Sequence, residues 1–286
     1  MRRNGKSLKE QHGVGESGGF MITSSANPRV KQVAQWQAKA GERLRAGVFL
    51  AEGFKMYMEA PKEWIREVYV SAGALERAGE CRDILEKLEG TGYETVSEEV
   101  FRKMSDTQTP QGILCVMERP AHTLEELLEG PSPLLLVLEG LQDPGNLGTI
   151  FRTGEGAGVA GIILGGGTVD PCNPKAVRAT MGSIYRVPFV SAEDLPGAVD
   201  RLRQQGIRTY AAHLEGKRYY DSFSFLGGTA FLIGNEGKGL SGELADRAEE
   251  YVKIPMEGQV ESLNAAVAAS LLMYEVHRQR SGKKMV

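Results

Sequence analysis

Short apolar segments alternate with segments of helical periodicity through the second half of the chain, and this pattern restricts the fold more than any other feature. The apolar segments carry few polar residues, which predicts strands buried on both faces, as in a parallel sheet. The predicted strands are 134–138, 161–164, 187–189, 208–212, 230–233 and 251–254. The predicted helices are 146–157, 174–182, 195–204, 242–247 and 262–280. We therefore expect an α/β domain with a parallel sheet over residues 134–286.

The first half predicts a second, smaller α/β domain over residues 21–120. Its predicted strands are 48–53, 67–70, 94–96 and 112–118, and its predicted helices are 27–39, 54–60, 74–89 and 97–104. A linker over 121–133 contains Pro131, Pro133 and a short predicted helix at 124–128, and it separates the two domains. Residues 1–20 are rich in glycine and polar residues without a hydrophobic period, which predicts a disordered leader.

The composition excludes several classes of protein. The formal net charge of −3 argues against a broad basic surface that binds duplex nucleic acid non-specifically. The longest apolar runs, such as 265–273, fall well short of the ~20 residues that a membrane helix needs. The three cysteines are isolated, and neither they nor the four histidines have the spacing of a zinc site. We expect a cytoplasmic protein with reduced thiols, no membrane segment and no metal.

Positive charge is concentrated near the start of the predicted small domain. Between residues 21 and 60, six lysines and arginines stand against three glutamates, which gives a local charge of +3. The basic side chains of Arg29, Lys31, Arg43 and Arg45 are candidates for contacts with phosphate groups of a nucleic acid. The alternative is that they form only a solvated helix face.

Two glycine-rich strings imitate nucleotide-binding motifs. Gly156-Ala-Gly158-Val-Ala-Gly161 satisfies the dinucleotide pattern, but a helix precedes it and a strand follows, which is the reverse of the required order. The segment Gly234-Asn-Glu-Gly-Lys-Gly lacks the four-residue spacer and the final Ser or Thr of a P-loop. Neither a dinucleotide nor a nucleoside triphosphate is indicated.

Three segments place polar residues and glycines at strand ends, where open α/β sheets bind ligands. The first spans 138–159: a turn, Asp143-Pro-Gly-Asn146, leads into a helix that Asn146 is predicted to cap, and Arg152 lies about two turns later. The alternative for this segment is that Asn146 only caps the helix and Arg152 is a solvated side chain.

The second segment spans 231–241, where an apolar strand ends at Gly234 in a glycine-rich loop centred on Glu236. Such a loop permits close approach of backbone to a ligand. The third segment spans 254–276, where Ser262 is the predicted N-cap and Asn264 lies in the first turn of an alanine-rich helix. Taken alone, the third segment is equally well explained as a capped core helix.

The three segments, in this order, resemble the three motifs of the SpoU (TrmH-like) branch of the SPOUT RNA methyltransferases. The resemblance spans about 134–280 and rests on Asn146 with Arg152, on the loop from Gly234, and on 254–264. The first half of the chain resembles the small RNA-binding module, related to a ribosomal protein, that precedes many of these catalytic domains. The resemblance rests on Ser25-Ala-Asn-Pro-Arg-Val-Lys and Phe49-Leu-Ala-Glu-Gly.

The resemblance implies methylation of a ribose 2′-hydroxyl of RNA with S-adenosylmethionine as donor. It also implies a deep trefoil knot in the C-terminal domain, and a homodimer whose active site takes Arg152 from one subunit and the cofactor loops from the other. The implied cofactor residues are Ala212, His213, Gly234, Asn235, Glu236, Gly237, Ile254, Met256, Ser262, Leu263 and Asn264. The implied catalytic residues are Asn146, Arg152, Glu236, Ser262 and Asn264.

A guanidinium has a pKa above about 12 and is a poor proton acceptor. We therefore expect Arg152 to hold a phosphate and to stabilise the developing alkoxide electrostatically, rather than to act as a base. Ser262 and Asn264 are expected to hold the ribose or the cofactor carboxylate. Three alternatives stay open: a transfer RNA substrate instead of the favoured ribosomal RNA, methylation of a base, and a non-catalytic RNA-binding protein of the same fold.

Overall fold

The computed structural model describes residues 21–259 and 262–282, and the disordered leader predicted for 1–20 lies outside the described residues. The strands are β1 (Val48–Glu52), β2 (Ile65–Ser71), β3 (Glu94–Val96), β4 (Ile113–Glu118), β5 (Leu134–Leu138), β6 (Gly161–Leu164), β7 (Phe189–Ser191), β8 (Arg208–Ala212), β9 (Arg218–Tyr219), β10 (Thr229–Ile233) and β11 (Glu250–Lys253). The helices are α1 (Pro28–Ala38), α2 (Ala40–Ala46), α3 (Phe54–Glu59), α4 (Ala72–Ala78), α5 (Arg82–Thr91), α6 (Glu98–Met104), α7 (Leu124–Leu127), α8 (Pro144–Ala157), α9 (Pro174–Thr180), α10 (Leu195–Gln204), α11 (Gly242–Ala245) and α12 (Ala265–Arg280).

The second half forms one seven-stranded sheet in the order β7-β6-β5-β10-β8-β11-β9, and every neighbouring pair is parallel. The predicted parallel α/β architecture is therefore confirmed. Strand β5 is buried along its whole length because both faces of the sheet are covered. Leu134 and Leu136 face one core and Leu135 and Val137 face another, as the alternation of side chains along a strand requires.

The first half forms a four-stranded sheet in the order β1-β4-β2-β3, with β4 antiparallel to both neighbours. Helices α1 and α6 cover one face of this sheet, where Val33 and Phe101 are buried. The other face shares a single core with the larger sheet, and Phe49 of β1 packs against Tyr185 from the second half. We call residues 28–118 the N-terminal unit and residues 134–280 the C-terminal unit.

Several element boundaries differ from the prediction. The helix predicted at 74–89 is two helices, because the Glu80 and Cys81 amides bond only three residues back, in a turn, and Cys81 is extended before α5 begins. The strand predicted at 187–189 begins at Phe189, since the Val187 amide is still bonded to a turn carbonyl. Helix α2 and the short strand β9 were not predicted. Within the described ranges, no helix is both long and apolar enough to cross a membrane.

Candidate functional site

A cavity of about 430 Å³ lies at the carboxyl ends of three neighbouring strands, β10, β8 and β11. The loops that leave these strands form its walls. The lining residues are Ala212–Glu215, Ile233–Leu240, Val252–Ile254, Met256, Ser262, Leu263, Ala265 and Ala268. In open parallel sheets this edge is where ligands bind, because the loops that follow the strands converge there.

The cavity collects nearly all of the cofactor residues that the sequence predicted. Every one of them except Asn264 lines it: Ala212, His213, Gly234, Asn235, Glu236, Gly237, Ile254, Met256, Ser262 and Leu263. The sequence reasoning missed several further lining residues, among them Glu215, Leu240 and Lys253. A usable signal existed for Glu215, which lies just beyond the predicted strand 208–212, and for Lys253, which lies near the end of the predicted strand 251–254.

The loop after β10 folds tightly on itself. The backbones of Asn235 and Gly239 exchange two hydrogen bonds, of 3.0 and 2.9 Å. The Asn235 side chain donates to the Gly140 carbonyl at 2.7 Å and accepts from the Gly237 amide at 2.9 Å. A Cβ added at Gly234 would overlap the backbone of Gly239 and Leu240, so only glycine fits at this turn.

Hydrogen bonds join all three chemistry-bearing segments at the rim of the cavity. Asn146 Nδ2 donates to Glu236 Oε1 at 2.9 Å, and Asn264 Nδ2 donates to Asn146 Oδ1 at 2.9 Å. Asn264 Oδ1 accepts from the amides of the first turn of α12. The network therefore connects the starts of α8 and α12 with the loop after β10.

The predicted helix caps were wrong in both places. Asp143 caps α8, and its carboxylate accepts from the Asn146 amide at 2.7 Å, so the Asn146 side chain is available to the network. Asn264 rather than Ser262 caps α12, which begins at Ala265. In α8 the proline at the first helical position fixes the cap one residue before it.

The Glu236 carboxyl is held in its ionised form. Burial alone would raise its pKa, but hydrogen bonds from the Asn146 side chain and from backbone amides, that of Gln142 among them, outweigh burial and lower the pKa. A carboxylate only accepts hydrogen bonds. It therefore fixes the Asn146 amide group with its nitrogen toward Glu236 and its oxygen toward Asn264.

Arg152 lies two turns along α8 from Asn146 and is exposed. Among the residues that the structure describes, its guanidinium has no ion pair and no hydrogen bond. Neither Arg152 nor Asn146 lines the cavity of its own chain. An arginine that is not engaged inside its own subunit remains available to a ligand or to a second subunit.

The predicted RNA-contacting arginines separate into two groups. Arg43 is only 2% exposed, and its guanidinium donates to the Trp36 carbonyl at 2.7 Å and pairs with Asp170 at 2.9 Å. The prediction that it contacts phosphates is therefore wrong, because its charge is used inside the protein. Arg29 and Arg45 are exposed in pairs with glutamates, and Lys31 is exposed.

A parallel α/β sheet whose strand-end loops enclose a ligand cavity defines the open α/β class of ligand-binding enzymes. The SpoU rRNA Methylase family model matches residues 133–274, and the MRM3-like substrate binding domain model matches residues 27–115. Over 257 residues, the chain is 34% identical to the 23S rRNA (guanosine(2553)-2'-O)-methyltransferase RlmP of Bacillus subtilis (strain 168), covering 89% of this chain and 98% of the relative. The chain belongs to the SpoU rRNA methylase family.

Two solved structures agree in fold over nearly the whole chain. The AdoMet-bound rRNA methyltransferase from Sinorhizobium meliloti is 30% identical with a TM-score of 0.77, and the match covers 90% of this chain and 97% of that one. The SpoU methyltransferase AviRb from Streptomyces viridochromogenes, in complex with the cofactor AdoMet, is 27% identical with a TM-score of 0.80 and covers 90% and 100%.

Proposed function

We propose that this chain methylates a ribose 2′-hydroxyl in structured RNA with S-adenosylmethionine as donor, and that ribosomal RNA is favoured over transfer RNA. One observation carries the proposal. The strand-end cavity meets, at its rim, a network that unites Glu236, Asn146 and Asn264 from three distant segments. The family and the names of the relatives support the same reaction and the same donor.

The cavity suits the methyl donor in size and in chemistry. Its volume of about 430 Å³ lies within the range of ~300 to 1,000 Å³ that is typical of small-molecule sites. Gly234 allows the loop after β10 to fold tightly against the backbone of Gly239 and Leu240 at the cavity wall. We assign donor binding to this loop and to Ile254, Met256 and Leu263; the donor supplies a methyl group already activated on a sulfonium.

The chain itself must orient the ribose and stabilise its oxygen as the proton leaves. Asn146 and Asn264 are fixed by Glu236 and are placed to bind polar groups of the ribose or the donor. Ser262 is exposed at the cavity wall and is assigned the same task. Arg152 is assigned to the phosphate beside the reacting hydroxyl, where its positive charge lowers the pKa of that hydroxyl.

We propose a homodimer in which Arg152 serves the cavity of the partner subunit. Val267, Leu271 and Tyr274 are large apolar side chains exposed along α12, and they line a groove with Thr149 of α8, one turn before Arg152. A face of this kind is typical of subunit interfaces. A second copy that covers it would bring Arg152 next to the contact.

Three further assignments belong to the same proposal. After β11, Ile254, Met256, Ser262 and Leu263 lie against the loops that follow β8 and β10, and Asn264 reaches Asn146. We propose that this part of the chain threads the trefoil knot of the SPOUT fold. Residues 21–120 are assigned to RNA selection, with Arg29, Lys31 and Arg45 among the contacts, 121–133 to the linker, and 134–286 to catalysis. A cytoplasmic location fits Cys115 and Cys172, which are buried and unpaired.

Titration calorimetry with S-adenosylmethionine tests the assignment of the cavity. The intact protein should take up the donor, and Gly234→Val should abolish uptake because its side chain would collide with the loop backbone. Gly227→Val, at an exposed position before β10 where an added Cβ meets no atom within 4 Å, is the control for a glycine replaced elsewhere. A folded wild-type protein that binds no donor would remove the enzyme assignment.

Mapping of 2′-O-methyl groups in total RNA, from cells with and without this protein, tests the substrate. We expect one modified ribose in ribosomal RNA to disappear with the protein. Loss of a ribose methyl group in transfer RNA would favour the alternative substrate. Loss of a base methyl group instead would contradict ribose chemistry.

The variants Asn264→Ala and Asn264→Ser distinguish the role of Asn264 in positioning the reactants from its role in capping α12. We expect a loss of about 1 kcal/mol in the free energy of unfolding, because α12 loses its cap, and a fall of roughly tenfold or more in the single-turnover rate, because Asn146 loses its partner. Asn264→Ser keeps a capping side chain and should restore stability but not the rate. A wild-type rate in both variants would contradict the assigned role.

A further inference from the structure

The loop over 105–111 of the N-terminal unit is held in one conformation by contacts with its neighbours. The Glu52 carboxylate accepts from the Ser105 hydroxyl at 2.7 Å and from the Thr107 hydroxyl at 2.9 Å. At the other end, Arg77 donates to the Gln111 carbonyl at 3.0 Å, and Gln111 Oε1 accepts from the Phe54 amide at 3.1 Å. The loop is therefore preorganised rather than merely connecting α6 to β4.

The middle of the same loop turns polar groups outward. Gln108 and Thr109 are exposed, and within the described part of the chain they form no hydrogen bond. Together they offer an amide and a hydroxyl, each of which both donates and accepts. A rigid loop whose ends are fully bonded and whose centre is free can bind a polar ligand at low entropic cost.

Helix α9 connects this loop to the rim of the cavity. Arg178 forms an ion pair with Asp106 of the loop, and one turn earlier Lys175 lies 3.8 Å from Asp143, the cap of α8. Close packing of α9 on α8 fixes this relation, because a Cβ at Gly148 would overlap Ala179. Helix α9 is only about 10 Å long. A short RNA strand with its reacting nucleotide at Asn146 could therefore reach the loop.

We infer that loop 105–111 and Lys175 of α9 form the platform for the RNA strand next to the methylated nucleotide. This inference rests on the proposed function and deepens it. Gln108 and Thr109 suit the base edges and 2′-hydroxyls of an unpaired strand, where sequence-specific proteins usually read RNA. Lys175 is 62% exposed and only loosely paired, so it suits a phosphate of the same strand.

The first experiment crosslinks the intact protein to total ribosomal RNA with ultraviolet light and identifies the attached peptides by mass spectrometry. We expect crosslinks in peptides that contain 105–111 or 174–178. Crosslinks confined to α1 and α2, or to other surfaces, would overturn the inference. A protein that crosslinks at the platform but fails to methylate RNA would instead contradict the proposed function alone.

The second experiment compares Gln108→Ala/Thr109→Ala/Lys175→Ala with the control Arg203→Ala/Gln204→Ala/Gln205→Ala. The control residues are exposed at the end of α10, and their replacement also removes one positive charge. We expect the platform variant to weaken binding of total ribosomal RNA about tenfold with a shallower salt dependence, while donor affinity stays unchanged. RNA affinity within twofold of the control would overturn the inference.

Discussion

Arg152→Ala and Gly234→Val should each abolish methyl transfer when present in both subunits, whereas a mixture of the two variants should recover activity. Arg152→Ala is expected to lower the rate by a factor of roughly 10² to 10³, the usual effect of removing one electrostatic donor. Gly234→Val fails for a different reason, because its side chain fills the narrow turn of the loop after β10.

In a mixed dimer, the cavity of the Arg152→Ala subunit is intact and receives the arginine of the Gly234→Val subunit. One of the two sites is then complete. With random association, half of the dimers are mixed, so about a quarter of the wild-type rate should return. If Arg152 acted in its own subunit, neither site of a mixed dimer would be complete and no activity would return.

The exposed apolar stripe of α12, which we propose as the dimer contact, provides a control for this experiment. Tyr274→Glu would place a charge on the exposed apolar stripe of α12, and it should lower dimer content in sedimentation and reduce activity together. The same substitution leaves the cavity lining of its own subunit unchanged. A fully active monomer would refute the shared site whatever the mixing result.

Local signals in the sequence predicted most of the fold. Strands 134–138 and 208–212 and helix 195–204 were predicted with the bounds that the structure has, because apolar runs and caps are local features. Most residues of the cavity were identified through the resemblance to the SpoU motifs, which lie at or near the ends of predicted strands. The interpretation of Asn146 and Ser262 as caps was wrong, since a second residue able to cap lies two or three positions away in each case and only the fold selects one.

Long-range electrostatic partners could not be predicted. Arg43 was grouped with the exposed arginines because its partner, Asp170, lies 127 residues away. The hydrogen bond from Asn146 to Glu236 joins residues 90 positions apart, and no local pattern in the sequence indicates that they pair. The sequence did not predict helix α2, and only the packing of the two units buries Arg43.

The ion cluster at Asp170 should be a site where loss of a single side chain strongly destabilises the molecule. Its carboxylate accepts from Arg43 and Arg119 at 2.9 Å each and also from the Cys172 amide at 3.0 Å, so it joins the N-terminal unit to the loop before α9. Arg43 brings a full charge into the interior, where an unpaired guanidinium is strongly unfavourable. Removing the carboxylate leaves that charge without its partner.

We expect Asp170→Ala to lower the free energy of unfolding by about 3 to 5 kcal/mol, the range for a buried ion pair that loses one member. Arg45→Ala is the matched control: it lies on the same helix as Arg43 but is 76% exposed, so its loss should change stability by less than about 1 kcal/mol. Urea unfolding of both variants measures the difference. The double variant Arg43→Met/Asp170→Ala should recover part of the loss, because it removes the buried charge together with its partner. Equal stability of Asp170→Ala and Arg45→Ala would show that the cluster contributes nothing to joining the two units.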